Sequence, residues 1–283
     1  MTDHLVDVLI PTCSRPAALA VTLTCLATHE FRDFRVIVSD QTEHADVADS
    51  MEVQAAARVL DLHGSPVTFL KNLPRRGMAQ QRQFLLDQAT APYALFVDDD
   101  LILEPWLIGM MVGALREENQ NRGSAGFCGC AVIGLSYLND VRPAEQDVEL
   151  WAGPVQPEVV RPGTPAWERW PLHNAANTFH VQQSLGATPD RPIKYKVAWV
   201  GGCALFDTAK LRDCGGYDFW DRLVADHAGE DVLAQQRVMA RYGGFGVMPS
   251  GVYHQELPTN VPVRTEDAPK VLDLNGLRVA PQP

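Results

Sequence analysis

LFVDDDLILEP, residues 95–105, is an apolar run that stops abruptly in three consecutive carboxylates, Asp98, Asp99 and Asp100. Like charges packed together repel, so the triplet costs free energy unless something positive sits among them. Two readings are open at this point: a solvated or helix-capping turn, or a strand end that holds a cation. The segments upstream bear on the choice, because they say what kind of strand ends here.

LVDVLIP (5–11) is a short apolar strand; Ser14 and Pro16 then mark a helix start, with Leu19, Leu23 and Leu26 as its apolar stripe. FRVIVSD (34–40) is a second strand ending in Asp40, residues 45–60 have a helical pattern, and PVTFL (66–70) is a third strand. A helix over 77–89 leads to YALFV (93–97), which runs into the triplet. Short apolar strands alternating with helices predict a doubly wound, mainly parallel sheet flanked by helices. In such sheets ligands bind beyond the carboxyl ends of the strands. Asp40 and Asp98–Asp100 both fall at such ends.

Beyond the triplet, Glu104-Pro105 opens a helix to about Glu118. FCGCAVIGL (127–135) and VAWVGGCALF (197–206), the latter interrupted by Gly201-Gly202, are predicted strands. GEDVLAQQRVMARYGG (229–244) is a helix with acids at its start and glycines past its end, and FGVMP and GVYH are short final strands. Between them, 139–195 reads as a long irregular insertion holding eight prolines together with Trp151, Trp167 and Trp170. Loops of that length are commonly binding loops or lids; equally, such tryptophans pack a loop onto its domain. The expected organisation is one catalytic domain over 1–256, with halves of about 1–118 and 119–256, and an irregular tail over 257–283.

A net charge of −11 argues against nucleic acid or an anionic membrane as partner. The opening residues lack a secretory pattern, and no apolar stretch approaches the ~20 residues that span a bilayer. Six cysteines without a C-x-x-C pair form neither a zinc framework nor a disulfide scaffold, which fits reduced thiols and a cytoplasmic setting.

Three acidic or imidazole sites stand out: the triplet, Glu230-Asp231 and His254. Carboxylates favour hard cations such as Mg²⁺, and one imidazole leans the choice towards Mn²⁺. Asp231, at a helix N-terminus, is kept ionised by the helix dipole and so is suited to be a base. Taken singly, each has a plain structural alternative. Their order is what matters. VLIPTCSRP, GMAQQRQ, LFVDDDLILEPWLI and the block GGCALFDTAKLRDCGGYD followed by GEDVLAQQR resemble, in this succession, the motifs of family 2 glycosyltransferases. The resemblance runs from about residue 5 to 254.

That resemblance implies a GT-A fold and an inverting transfer from a nucleotide-diphospho sugar, with Mn²⁺ or Mg²⁺ on the diphosphate. Pro11, Thr12, Arg15, Asp40, Arg82, Asp98 and Asp99 would line the nucleotide-sugar site. Asp40 would accept from the base N3–H of uracil or thymine, and Asp98 would face the ribose. Strand alternation turns Asp99 away from its two neighbours, which makes it the structural member of the triplet. Asp100 and His254 would be the metal ligands, and Asp231 would deprotonate the acceptor hydroxyl. Glu230, Trp199, Gly201 and Gly202 would lie on the acceptor side. The acceptor expected is a glycan or lipid-linked intermediate, which would place the protein in the cytoplasm or peripherally at the inner face of a membrane. SDQTE (39–43) departs from the family's Asp-Asp-Gly-Ser, Gln83 stands where Asn is usual, and no Gln-x-x-Arg-Trp segment of processive synthases is present. Rival readings are a non-catalytic sugar-nucleotide or glycan-binding module, and a sugar-nucleotide pyrophosphorylase. The pyrophosphorylase would need a Gly-rich phosphate loop where PTCSRPAAL has no glycine.

Overall fold

The computed structural model describes residues 4–121, 123–259 and 261–279. Residues 1–3 and 122 of the expected domain, and 260 and 280–283 of the expected tail, lie outside them.

The first part alternates as expected: β1 (Val6–Thr12), α1 (Pro16–Ala27), β2 (Phe34–Asp40), α2 (Met51–Leu62), β3 (Val67–Lys71), α3 (Met78–Gln88) and β4 (Tyr93–Val97). Pro16 sits at the start of α1, where its missing N–H costs nothing, and Leu19, Leu23 and Leu26 are fully buried beneath it. Every residue of β1 is buried, the signature of a central strand covered on both faces. β1 pairs in parallel with β2 and β4, and β2 with β3. Inside this layer the Asp7 carboxylate accepts from Arg35 Nε at 2.6 Å and from the Thr90 and Ala91 amides, so its buried charge is fully partnered.

The chain continues through β5 (Leu101–Leu103), α4 (Leu107–Gln120), β6 (Phe127–Gly129), α5 (Asn177–Ser184), β7 (Ile193–Tyr195), β8 (Cys203–Asp207), α6 (Thr208–Asp213), β9 (His227–Ala228), α7 (Glu230–Tyr242), β10 (Gly244–Met248), β11 (Val252–His254), β12 (Glu266–Asp267) and α8 (Ala268–Val271). The large sheet has the order β3-β2-β1-β4-β8-β6-β10-β7. β8 runs antiparallel between β4 and β6, and β7 closes the far edge antiparallel to β10; the other pairings are parallel. The sheet is therefore mixed and mainly parallel.

Three stretches depart from expectation. FCGCAVIGL and VAWVGGCALF hold strand only over Phe127–Gly129 and Cys203–Asp207. The insertion is partly regular: a 3₁₀ segment at Pro165–His173, then α5 and β7. Glu118 on α4 anchors it, accepting from the Val155 amide at 2.5 Å and from Lys194 Nζ. The tail is not wholly irregular either. β12 pairs with β9, and α8 packs on α7 with Ala268 and Leu272 buried.

Candidate active site

The carboxyl ends of β1, β2 and β4 open into a cleft of about 400 Å³, closed opposite by the N-terminal end of α7 and by the chain beyond β11. Pro11, Thr12, Arg15, Arg82, Asp98, Asp99, Asp100, Gly201, Gly202, Glu230, Asp231 and His254 all line it, although they are spread over some 240 residues of sequence. The topology brings them together because β4 is central and β5 pairs with β11, which sets His254 opposite Leu101.

Arg82, buried on α3, is the keystone. Its Nη2 donates to Asp98 Oδ1 at 2.8 Å and its Nε to Glu230 Oε1 at 3.0 Å, with Phe96 beneath the guanidinium. Burial opposes its charge, but Asp98 and Glu230 outweigh that cost and hold it protonated. One side chain thus joins the end of β4 to the start of α7.

The triplet splits three ways. Asp98 is partly exposed towards the cleft, and burial pushes its carboxyl up despite Arg82. Asp99 accepts from Thr12 Oγ1 at 2.6 Å; burial pushes its carboxyl up to about 7, with the Thr12 hydrogen bond and Arg15 opposing and Asp100 and Asp98 adding. Asp100 Oδ2 accepts from Arg15 Nη1 at 2.7 Å and lies 3.6 Å from His254 Nε2.

On the facing wall, α7 begins after Gly229, whose φ of +75° belongs to the left-handed region that glycine tolerates; a Cβ there would also meet Asp267 Oδ1 at 2.5 Å. Asp231, in the first turn, has no ion-pair partner among the described residues. Burial and then the neighbouring Glu230 charge push its carboxyl up to about 7, against the pull of Arg82. A carboxylate near neutrality is matched to proton transfer at physiological pH. Gly202, with φ +75°, accepts at its carbonyl from the Asp98 amide at 2.9 Å; a Cβ there would press on Val132 at 2.7 Å.

Two expected residues are placed elsewhere. Asp40 is buried at the end of β2, its oxygens taken by the Thr42 amide (2.8 Å), the Val47 amide (3.2 Å) and Lys71 Nζ (2.7 Å). These bonds hold its carboxyl low against the cost of burial. It does not line the cleft; its neighbour Gln41 does. Trp199 stacks on Trp167 with ring centroids 4.7 Å apart and does not line the cleft either. No described residue of 139–195 lines it.

Sequence reasoning missed Gln41, Met78 and His227, and the Leu257, Thr259, Val261 and Arg264 wall. His227 Nε2 accepts from the Ala79 amide at 3.0 Å and its Nδ1 meets the Val224 carbonyl, which locks the loop to α3. The tail wall carries no local periodicity; long-range contacts, the β12–β9 pairing and the Arg15 bond to the Pro258 carbonyl among them, place it there.

A hard divalent cation uses one or two carboxylates and completes its shell with water and substrate phosphates. Asp100 and His254 fit such a shared ion. Among the described residues no group of three His, Cys, Asp or Glu forms a full protein cage. His254 Nδ1 accepts from the Glu256 amide at 2.6 Å, so Nε2 becomes a ligand only when that bond is given up.

The sequence profile of glycosyl transferase family 2 matches residues 7–126. Residues 7–126 are thus similar to glycosyl transferase family 2. No curated protein sequence matches the chain. Among solved structures, S. aureus TarS is similar with TM-score 0.54 and 14% identity over 88% of this chain and 36% of that one. A Pyrobaculum calidifontis mannosyltransferase, PcManGT, in complex with GDP-Man and Mn²⁺, has TM-score 0.54 and 17% identity over 91% of this chain and 59% of that one. TarS 1–349 in complex with UDP-GlcNAc has TM-score 0.52 and 14% identity over 90% and 60%. The fold is thus the GT-A glycosyltransferase fold, and the chain spans between a third and three fifths of these solved chains. The matched stretch ends just short of β6, so the α7 wall with Asp231 lies beyond the matched residues. No helix among the described residues is long and apolar enough to cross a membrane.

Proposed function

We propose that the protein is a metal-dependent, inverting glycosyltransferase that moves a sugar from a UDP- or dTDP-sugar to an acceptor hydroxyl in glycan or lipid-linked glycoconjugate synthesis. One observation carries this reading: Arg82 ties Asp98 and Glu230 together, so Asp231 faces the triplet across a single cleft. The donor's nucleoside lies against Pro11, Thr12 and Gln41. The Gln41 Oε1 accepts no hydrogen bond among the described residues and is the group offered to a pyrimidine N3–H; Asp40 supports the turn behind it. Asp98 faces the ribose, and Asp100 with His254 holds the cation, which when bound neutralises the leaving diphosphate.

Asp231 accepts the proton of the acceptor hydroxyl as its oxygen bonds to the anomeric carbon. The nucleoside diphosphate departs from the opposite face, which inverts that carbon. Glu230 is committed to Arg82, so Asp231 is left as the single base on that side. Gly201, with open space about it, leaves room for the acceptor beside it, Gly202 packs on Val132, and Trp199 stands behind, fixing that wall through Trp167.

The test is a thermal-shift and transfer screen of nucleotide sugars with and without Mn²⁺, since a ligand that binds only the folded chain raises its melting temperature. A shift with one UDP- or dTDP-sugar, enlarged by Mn²⁺, is expected. No shift with any nucleotide sugar would sink the donor-site reading. Binding without transfer to any acceptor would favour a non-catalytic module.

A further inference from the structure

Gln255 ties the chain just past β11 to Asp100 and α1, and two further contacts hold the 256–258 turn, both made by residues the proposed donor complex needs. Arg15 spans the first: Nη1 donates to Asp100 Oδ2 at 2.7 Å while Nη2 donates to the Pro258 carbonyl. His254 makes the second, its Nδ1 accepting from the Glu256 amide at 2.6 Å. Glu256 adopts φ +57°, a left-handed backbone unusual for a residue with a β-carbon, and its carboxylate is held by the Ser136 amide and hydroxyl at 3.1 and 2.9 Å.

The chemistry of each contact opposes cation binding. A neutral imidazole has one proton; with Nδ1 accepting, that proton is on Nε2, the nitrogen 3.6 Å from Asp100 Oδ2. Nε2 then has no lone pair to offer. The Asp100 oxygen is likewise engaged by a guanidinium whose side chain is only 14% exposed. Freeing Asp100 requires Arg15 to withdraw, and freeing Nε2 requires the proton to move to Nδ1, which then no longer accepts from Glu256.

We propose that cation binding at Asp100 and His254 is linked to release of the 256–258 turn. In this proposal Arg15 is the resident counter-cation that yields Asp100 and turns to the donor's diphosphate. The inference rests on the metal-dependent reading above. Linkage is reciprocal: removing the Arg15 charge favours the cation as much as the cation disfavours the Arg15–Asp100 pair.

The test uses the full chain with Mn²⁺ alone, then UDP alone, as probes, following affinity by calorimetry and tryptic cleavage after the exposed Arg264. Mn²⁺ should speed cleavage of the unsubstituted chain. Arg15→Gln should bind Mn²⁺ on the order of tenfold tighter and UDP on the order of tenfold more weakly, and be cleaved faster without metal. A merely structural role would weaken both ligands together. Arg15→Lys keeps the charge but cannot bridge Asp100 and Pro258, so it should be cleaved fast at near-normal Mn²⁺ affinity; this holds the proposal to account if the Gln variant does not fold. Mn²⁺ affinity unchanged or lowered in a folded Arg15→Gln chain, or cleavage indifferent to Mn²⁺, would overturn it. Asp100→Asn separates the two levels: it should abolish Mn²⁺ binding, and undiminished binding there would refute the metal site itself.

Discussion

At the wall proposed to hold the donor, Asp98 and Asp100 each meet a guanidinium within 2.8 Å, whereas Asp231 on the facing wall meets none among the described residues. The two walls hold the same functional group with and without a guanidinium partner. On the triplet's side Arg15 and Arg82 pair with Asp100 and Asp98 and hold them in place. The acceptor side leaves one carboxyl buried beside a like charge, so that its proton affinity rises to where a base is useful. Arg82 serves both walls: it partners Asp98 and occupies Glu230, and only Asp231 remains to take up a proton.

Removing the base is the largest way to break this comparison. Asp231→Asn should lower the transfer rate by about 10²–10⁴-fold with donor affinity nearly unchanged, read from initial rates and from UDP binding. Equal losses in binding and rate would instead place Asp231 on the donor. Arg82→Ala comes next. It leaves the buried Glu230 carboxylate unpaired beside the partly exposed Asp98 and should cost about 3 kcal/mol of stability in denaturant unfolding, whereas removing an exposed arginine such as Arg58 should cost under about 0.5 kcal/mol.

Proton affinity sharpens the same contrast. The fold raises the Asp231 carboxyl from 3.8 to about 7, so it prefers the neutral form. Stability from this group is therefore full below pH 3.8 and is lost as pH rises through about 7. Activity runs the other way, because the base has to be ionised. Transfer should fall roughly tenfold per pH unit below the pKa and level off above it. Asp99 is pushed into the same range, so the Asp231 share is the difference between wild-type and Asp231→Asn stability across pH 4–8, measured by urea unfolding. A pH-independent difference would remove Asp231 as the raised group.

The donor wall was the legible one. β1, β2 and β4 are buried on both faces, so their apolar runs and the polar residues that end them stand out in sequence, and Asp98–Asp100 fell where they were expected. The start of α7 was legible through its charge pattern, but the dipole expected to keep Asp231 ionised is outweighed by burial and the Glu230 charge. Strand direction was not: β8 is as apolar as its parallel neighbours, and nothing local tells it to run antiparallel between β4 and β6. Asp40 misled because a carboxylate ending a strand looks the same whether it faces a ligand or caps the turn after it; Lys71, 31 positions on, supplies the difference. The tail wall depends on two-residue pairing between β12 and β9, far below the length at which periodicity speaks.

The smallest expected effect tests whether the insertion belongs to the chemistry at all. Two of its three tryptophans pack inward, Trp167 on Trp199 and Trp151 under Lys196, while Trp170 is exposed. Arg169 meanwhile bridges Glu149 and Glu158 at 2.8 and 2.7 Å, closing the loop on itself. Trp167→Ala should therefore cost about 2 kcal/mol through lost packing of a half-buried ring. Donor affinity and the pH profile should be unchanged, because Trp199 supports the Gly201-Gly202 wall only from behind. A large rise in the acceptor KM at unchanged stability would reverse that assignment and put sugar recognition on the insertion. A loss of stability with KM intact would leave Gly201, Gly202 and the 257–264 wall as the surfaces that meet the acceptor.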